Sequence, residues 1–84
     1  MTWRVEIDDR AERELEDLPL QVQVRLITKI LSLKENPLPP GSIKLKGHTG
    51  YRVRVGDYRI LYELNAKSEL AIIYAVGHRK DIYR

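Results

Sequence analysis

The sequence predicts an α+β domain: an N-terminal strand and an antiparallel helix pair, then an antiparallel β-meander, with the helices packed on one face of a single sheet. Three observations predict it. Residues 2–7 alternate strictly, apolar residues from 11 to 31 recur at helical spacing, and four short β-rich segments separated by turn residues follow residue 42.

The first strand places Trp3, Val5 and Ile7 on one side and Thr2, Arg4 and Glu6 on the other, the period of a half-buried strand. In "DDRAERELEDL" the period changes: Asp8 or Asp9 caps a helix, early acids suit its positive end, and Ala11, Leu15 and Leu18 fall at i, i+4 and i+7. Pro19 suits the first position of a second helix. That helix carries Leu20, Val24, Ile27, Ile30 and Leu31 on one stripe and is expected to end near Asn36-Pro37. "NPLPPGS" (36–42) is the only linker-like stretch, short enough to connect elements within one domain spanning 1–84. The segments "IKLKG", "YRVRVG", "DYRILYEL" and "ELAIIYAVG" then form the meander. The last is apolar on both faces and is expected to lie centrally in the sheet.

Composition bounds the function. With 84 residues, 43% hydrophobic and 32% charged, the chain fits one soluble domain with a modest core. No apolar run approaches a bilayer span, and the N-terminus lacks the pattern of a signal peptide, so the expected location is the cytoplasm, with no membrane partner. Cysteine is absent, which excludes disulfides and thiolate metal sites. The net charge of +3 hides an asymmetry: residues 1–42 hold six Lys and Arg against eight Asp and Glu, and residues 43–84 hold nine against four. A basic half interleaved with Tyr51, Tyr58, Tyr62, Tyr74 and Tyr83 suits phosphates and bases, and equally an ordinary basic sheet surface.

If Gly56-Asp57 is a two-residue turn, Val55 faces Tyr58, Arg54 faces Arg59, Val53 faces Ile60 and Arg52 faces Leu61. Two cations then sit side by side, at a cost of a few tenths to about 1 kcal/mol. An anion resting there would offset it. Tyr51, Val53, Val55, Tyr58, Ile60 and Tyr62 take the other face, beneath the helices, and the arginine face is left to solvent or ligand. After Gly77 the chain reads "HRKDIYR", so His78, Arg79, Lys80 and Tyr83 emerge at the sheet's end. Taken singly, Arg52, Arg54, His48 and Lys80 read as solvated surface groups; Arg59, Arg79 and Tyr83 together read as a functional set.

The two histidines, His48 and His78, have no companion ligand pattern, so no metal is expected. There is no Gly-rich phosphate loop before a helix, and Ser32, Ser42 and Ser68 belong to no nucleophile motif. No cofactor is implied. What remains is arginine, which binds phosphate with a planar fork of donors and stays protonated, together with tyrosine, which offers a stacking face. RNA suits such a site because it brings its own nucleophile, the 2′-hydroxyl.

The order of elements and the phrases "KLKG", "YRVRVGDYRILYEL" and "YAVGHRKDIYR" resemble the RelE/ParE toxin superfamily, its RelE branch more than its ParE branch, over nearly the whole chain. The resemblance implies a ribosome-dependent endoribonuclease that cuts messenger RNA in the A site and is held inactive by a RelB-like antitoxin encoded beside it. It implies that Arg59 and Arg79 bind the scissile phosphate, with Arg79 near the leaving oxygen. Tyr83 would stack on a substrate base, Arg52 and Arg54 would hold backbone and nucleophile, and Lys44, Lys46, His78 and Lys80 would line the substrate path. DNA would be met only through an antitoxin complex. Well-known members carry lysine at the positions of Arg52 and Arg54, and arginine is a poor base. The general base is thus unassigned, with His78 a chemically suitable substitute. Two other readings stand beside this one: a ParE-type toxin that poisons DNA gyrase without nuclease activity, and a non-catalytic ribosome- or RNA-binding module.

Overall fold

The structure, a computed structural model, describes residues 2–46 and 50–78. The elements run β1 (Arg4–Ile7), α1 (Asp9–Glu16), α2 (Leu20–Ser32), β2 (Ile43–Lys44), β3 (Gly50–Val55), β4 (Tyr58–Asn65) and β5 (Leu70–His78). The predicted α+β order is present. One five-stranded sheet has the order β1-β5-β4-β3-β2. Strands β2 to β5 form the antiparallel meander, whereas β1 pairs with β5 in parallel, Arg4 opposite Leu70 and Ile7 opposite Ile73. The sheet is therefore mixed, with β1 the one strand that runs parallel to its neighbour. β5 has a strand on each side, as its two apolar faces require, although the middle position belongs to β4.

Asp8 caps α1, accepting a hydrogen bond from Ala11 N at 2.9 Å, while its own N–H continues the sheet by donating to Ile73 O. Ala11 and Leu15 are buried as their spacing predicts. Pro19 occupies the cap position of α2, its carbonyl accepting from Val22 and Gln23, so the helix proper begins one residue later than expected. It ends at Ser32, earlier than expected, and the chain keeps winding to Asn36 through tighter turns such as Lys34 N to Leu31 O.

The α2 stripe differs from the expectation. Leu26, Ile30 and Leu33 are fully buried with Val22 packed beside them, whereas Leu20, Val24, Ile27 and Leu31 are exposed. Aliphatic residues surround this helix, so spacing supports two stripes, and only the one meeting the sheet is covered. Against it lie Val53, Ile60, Tyr62, Ile73 and Val76, joined by Tyr51, Val55 and Tyr58. This is the core face predicted for the hairpin. Tyr51 and Tyr62 stack there at 5.9 Å, and Tyr62 Oη donates to Pro37 O at 2.8 Å, pinning the linker. Three tyrosines of the basic half thus belong to the core.

Candidate phosphate-binding face

The hairpin register is the predicted one: Arg52 opposite Leu61, Val53 opposite Ile60, Arg54 opposite Arg59 and Val55 opposite Tyr58. Gly56 turns the chain at φ +61, and Asp57 is not among the positive-φ residues, as a glycine-first hairpin turn requires. Because side chains alternate along a strand, Arg52, Arg54 and Arg59 share the face turned away from the helices.

Pairing with β5 extends that face. Arg59 lies opposite Gly77, and Leu61 opposite Ala75. Both β5 residues in these rows, Gly77 and Ala75, are small. Arg54 is exposed, while Arg52 and Arg59 are half-buried with their Nε atoms shielded from water. Among the described residues, the rows Arg54–Arg59–Gly77 and Arg52–Leu61–Ala75 contain no acid; Glu63 belongs to the next row, opposite Gly50. Three cations close together on a sheet form a favourable seat for a phosphodiester.

The face expected to be left to solvent or ligand is covered in part. Leu61 and Ala75 are buried there, packed by Leu45 and Tyr74. The pairing of β4 with β5 shifts between Leu61 and Tyr62, so Tyr74 is the extra residue of a bulge. Its ring crosses toward β3, where a Cβ on Gly50 would meet Tyr74 Oη at 2.6 Å. A side chain at that position would require the Tyr74 ring to move.

Other candidates fall elsewhere. Lys44 pairs with Tyr51 and so lies on the helix-side face, away from the arginines. His78 pairs with Tyr58, also on that face, and the two rings meet edge to face at 5.6 Å. The register therefore separates His78 from the three arginines, and it is not brought beside them as a base. Lys46 is exposed in the turn after β2. Arg79, Lys80, Tyr83 and His48 lie outside the described residues.

Sequence reasoning missed Glu14. Its Oε1 accepts the Val76 N–H at 3.1 Å, just beyond the point where β1 ceases to pair with β5, while Arg10 Nε lies 3.3 Å from its Oε2. The carboxylate thus replaces a missing strand partner next to the glycine that faces Arg59. The signal was an acid set within the Ala11–Leu15–Leu18 stripe.

A model of the family described as ParE toxin of type II toxin-antitoxin system, parDE, matches residues 5–83. Putative toxin RelE1 of Methanocaldococcus jannaschii is 32% identical, with 100% of this chain and 98% of that protein covered. Among solved structures, the archaeal RelE–RelB complex of Pyrococcus horikoshii superposes with a TM-score of 0.83 at 32% identity, covering 96% of this chain and 99% of that one. The toxin-antitoxin complex RelBE2 of Mycobacterium tuberculosis gives 0.86 at 25% identity, covering 96% and 95%.

Proposed function

This chain belongs to the RelE/ParE toxin superfamily, and from that premise we propose that it is a ribosome-dependent endoribonuclease that cuts messenger RNA in the A site. It is a toxin of a type II toxin–antitoxin system, and its natural restraint is a RelB-like antitoxin. The observation that carries the nuclease reading is the direct pairing of Arg54 with Arg59, with Arg52 one row away on the same face.

In the reaction the RNA 2′-hydroxyl attacks the adjacent phosphorus. A 2′-oxygen–phosphorus bond forms, the bond to the 5′-oxygen breaks, and the product ends in a 2′,3′-cyclic phosphate. Arg59 and Arg79 hold the phosphate and oppose the charge that develops on it, Arg79 beside the leaving oxygen. Arg52 and Arg54 fix the backbone so that the 2′-oxygen lies in line with the bond to be broken. Tyr83 stacks on a base. The 2′-proton passes to a base not supplied by these four arginines, which stay charged, and the departing 5′-oxygen gains a proton. The ribosome presents the codon, and Lys46 and Lys80 add affinity for its backbone. Lys44 and His78 have no part in this arrangement.

The family description favours one second reading, a ParE-type toxin acting on DNA gyrase without cutting RNA. Brief induction in cells separates the two. The nuclease reading predicts new ends inside codons of translated messages, lost with Arg59→Ala, and unbroken plasmid DNA. Growth arrest with intact messages and gyrase-linked DNA breaks would establish the other.

A further inference from the structure

Among the described tyrosines, Tyr51, Tyr58 and Tyr62 pack into the helix-side core, and Tyr74 alone packs with the cluster on the arginine face. Tyr74 stands on β5, its hydroxyl reaches Gly50 on β3, and β4 runs between them. Neighbouring strands lie about 4.8 Å apart, so the side chain crosses two spacings and must lie along the sheet over β4 rather than stand upright from it. It rests on Leu61 and Ala75 and is only half-buried, so its exposed surface is the outward one. The arginines lie alongside. On β3, Arg54, Arg52 and Gly50 stand two residues apart in turn. The Arg54–Arg59 row, the Arg52 row and the far end of the Tyr74 ring therefore follow one another at intervals of about 6.8 Å, close to one nucleotide of an extended single strand. Ile43, 48% exposed and opposite Arg52, continues the apolar surface from Leu61 toward the sheet edge.

We propose that the Tyr74 ring is a stacking platform for an unpaired RNA base, that of the nucleotide lying beyond Arg52 from the Arg54–Arg59 pair. The inference rests on the ribonuclease reading and deepens it. The arginines hold the strand by its phosphates, which carry no base identity, and Tyr74 gives the same strand a contact to a base. This platform is additional to the stacking given to Tyr83. Chemistry selects the occupant. A ring lying along a sheet beside guanidinium groups offers its π-face to a planar base while the phosphates run over the cations, which is how single strands are held on sheet surfaces in general. A duplex keeps its bases stacked on one another and would offer the ring only backbone. An aliphatic side chain would cover Leu61 as well as a tyrosine does, so packing alone does not call for the aromatic ring. Every base has a π-face, so Tyr74 adds affinity for the strand without choosing the codon.

The test uses ribosomes programmed with RNAs that carry 2′-deoxynucleotides across the A-site codon, which removes the nucleophile and keeps the strand intact. A photoreactive 5-iodouracil is placed at successive positions, and the unaltered chain is irradiated on each complex and mapped by peptide mass spectrometry. One position is expected to crosslink to Tyr74. With 2-aminopurine at that position, the unaltered chain and Tyr74→Phe, which keeps a ring, should quench its fluorescence. Tyr74→Leu, which keeps only the apolar cover over Leu61, should not. On unmodified message Tyr74→Leu should raise KM at least about fivefold with kcat unchanged, the signature of binding made equally in ground and transition states. Circular dichroism checks that the variant is folded, and the crosslink decides where it is not. Crosslinks that never include Tyr74, or a folded Tyr74→Leu with the quenching and KM of the unaltered chain, overturn the proposal, and A-site cuts in unmodified message then leave the ribonuclease reading standing. Absence of those cuts overturns that reading and this inference with it.

Discussion

Arg54 and Arg59 oppose each other across the hairpin, and a fold selected only for stability would not place them so. Replacing Arg54, which is exposed, by glutamine removes the repulsion and is expected to raise unfolding free energy by a few tenths to about 1 kcal/mol in urea titration. The same change should reduce RNA cleavage, so stability and activity move in opposite directions. Tyr62 presents the reverse case. Burial raises its hydroxyl pKa above the ordinary 10.0, and a hydrogen bond with Ser42 partly opposes that rise. The folded state therefore holds the phenolic proton more firmly than the unfolded one. Its stabilising contribution is complete below pH 10 and is lost as pH climbs through the raised value. Tyr62→Phe should cost about 0.5–1.5 kcal/mol at neutral pH through the lost bond to Pro37, and its stability should fall less steeply than the wild type's above pH 10.

The elements differ in how plainly the sequence declared them. The β3–β4 hairpin was legible to the residue, because Gly56 and Asp57 fix the turn and the turn fixes the register. The face of α2 was not. With Leu20, Val22, Val24, Leu26, Ile27, Ile30, Leu31 and Leu33 all aliphatic, periodicity admits two faces, and only the position of the sheet chooses between them. The parallel partnership of β1 with β5 left no local trace, since it joins residues more than sixty positions apart. The bond from Val76 to Glu14 is equally non-local, and it ties α1 to the strand that carries Gly77. Hydrogen bonds to charged groups contribute about 1.5–3 kcal/mol, reduced here because the Glu14 side chain is 25% exposed. Glu14→Ala should therefore destabilise the fold by about 1–2 kcal/mol and accelerate amide exchange at Val76 well beyond exchange at Ile60, which is bonded within the sheet's interior.

Across the whole molecule, chemistry is divided between the two sides of one sheet. The helix side buries the core and exposes an apolar stripe bordered by Arg25 and Lys29; the other side gathers Arg52, Arg54 and Arg59 over Gly77 and Ala75. The sequence revealed this division through its charge asymmetry and the alternation of "YRVRV". It could not reveal that Tyr74 bulges onto the arginine face or that His78 turns from it, because a single bulge reverses which residues look outward. Binding that depends on several cations releases counterions, so ribosome association should weaken steeply between 50 and 200 mM salt, as the logarithm of concentration. Arg52→Ala should flatten that slope by about one phosphate's worth.

The most direct measurement maps RNA ends after the purified chain is added to ribosomes programmed with messenger RNA and an empty A site, beside Arg59→Ala and Arg79→Ala variants and a ribosome-free control. The account predicts cuts within the A-site codon that end in a cyclic phosphate, require the ribosome, and fall at least a hundredfold with either variant. Intact message at concentrations of the chain that stop growth, or cuts that persist without Arg59, would contradict it.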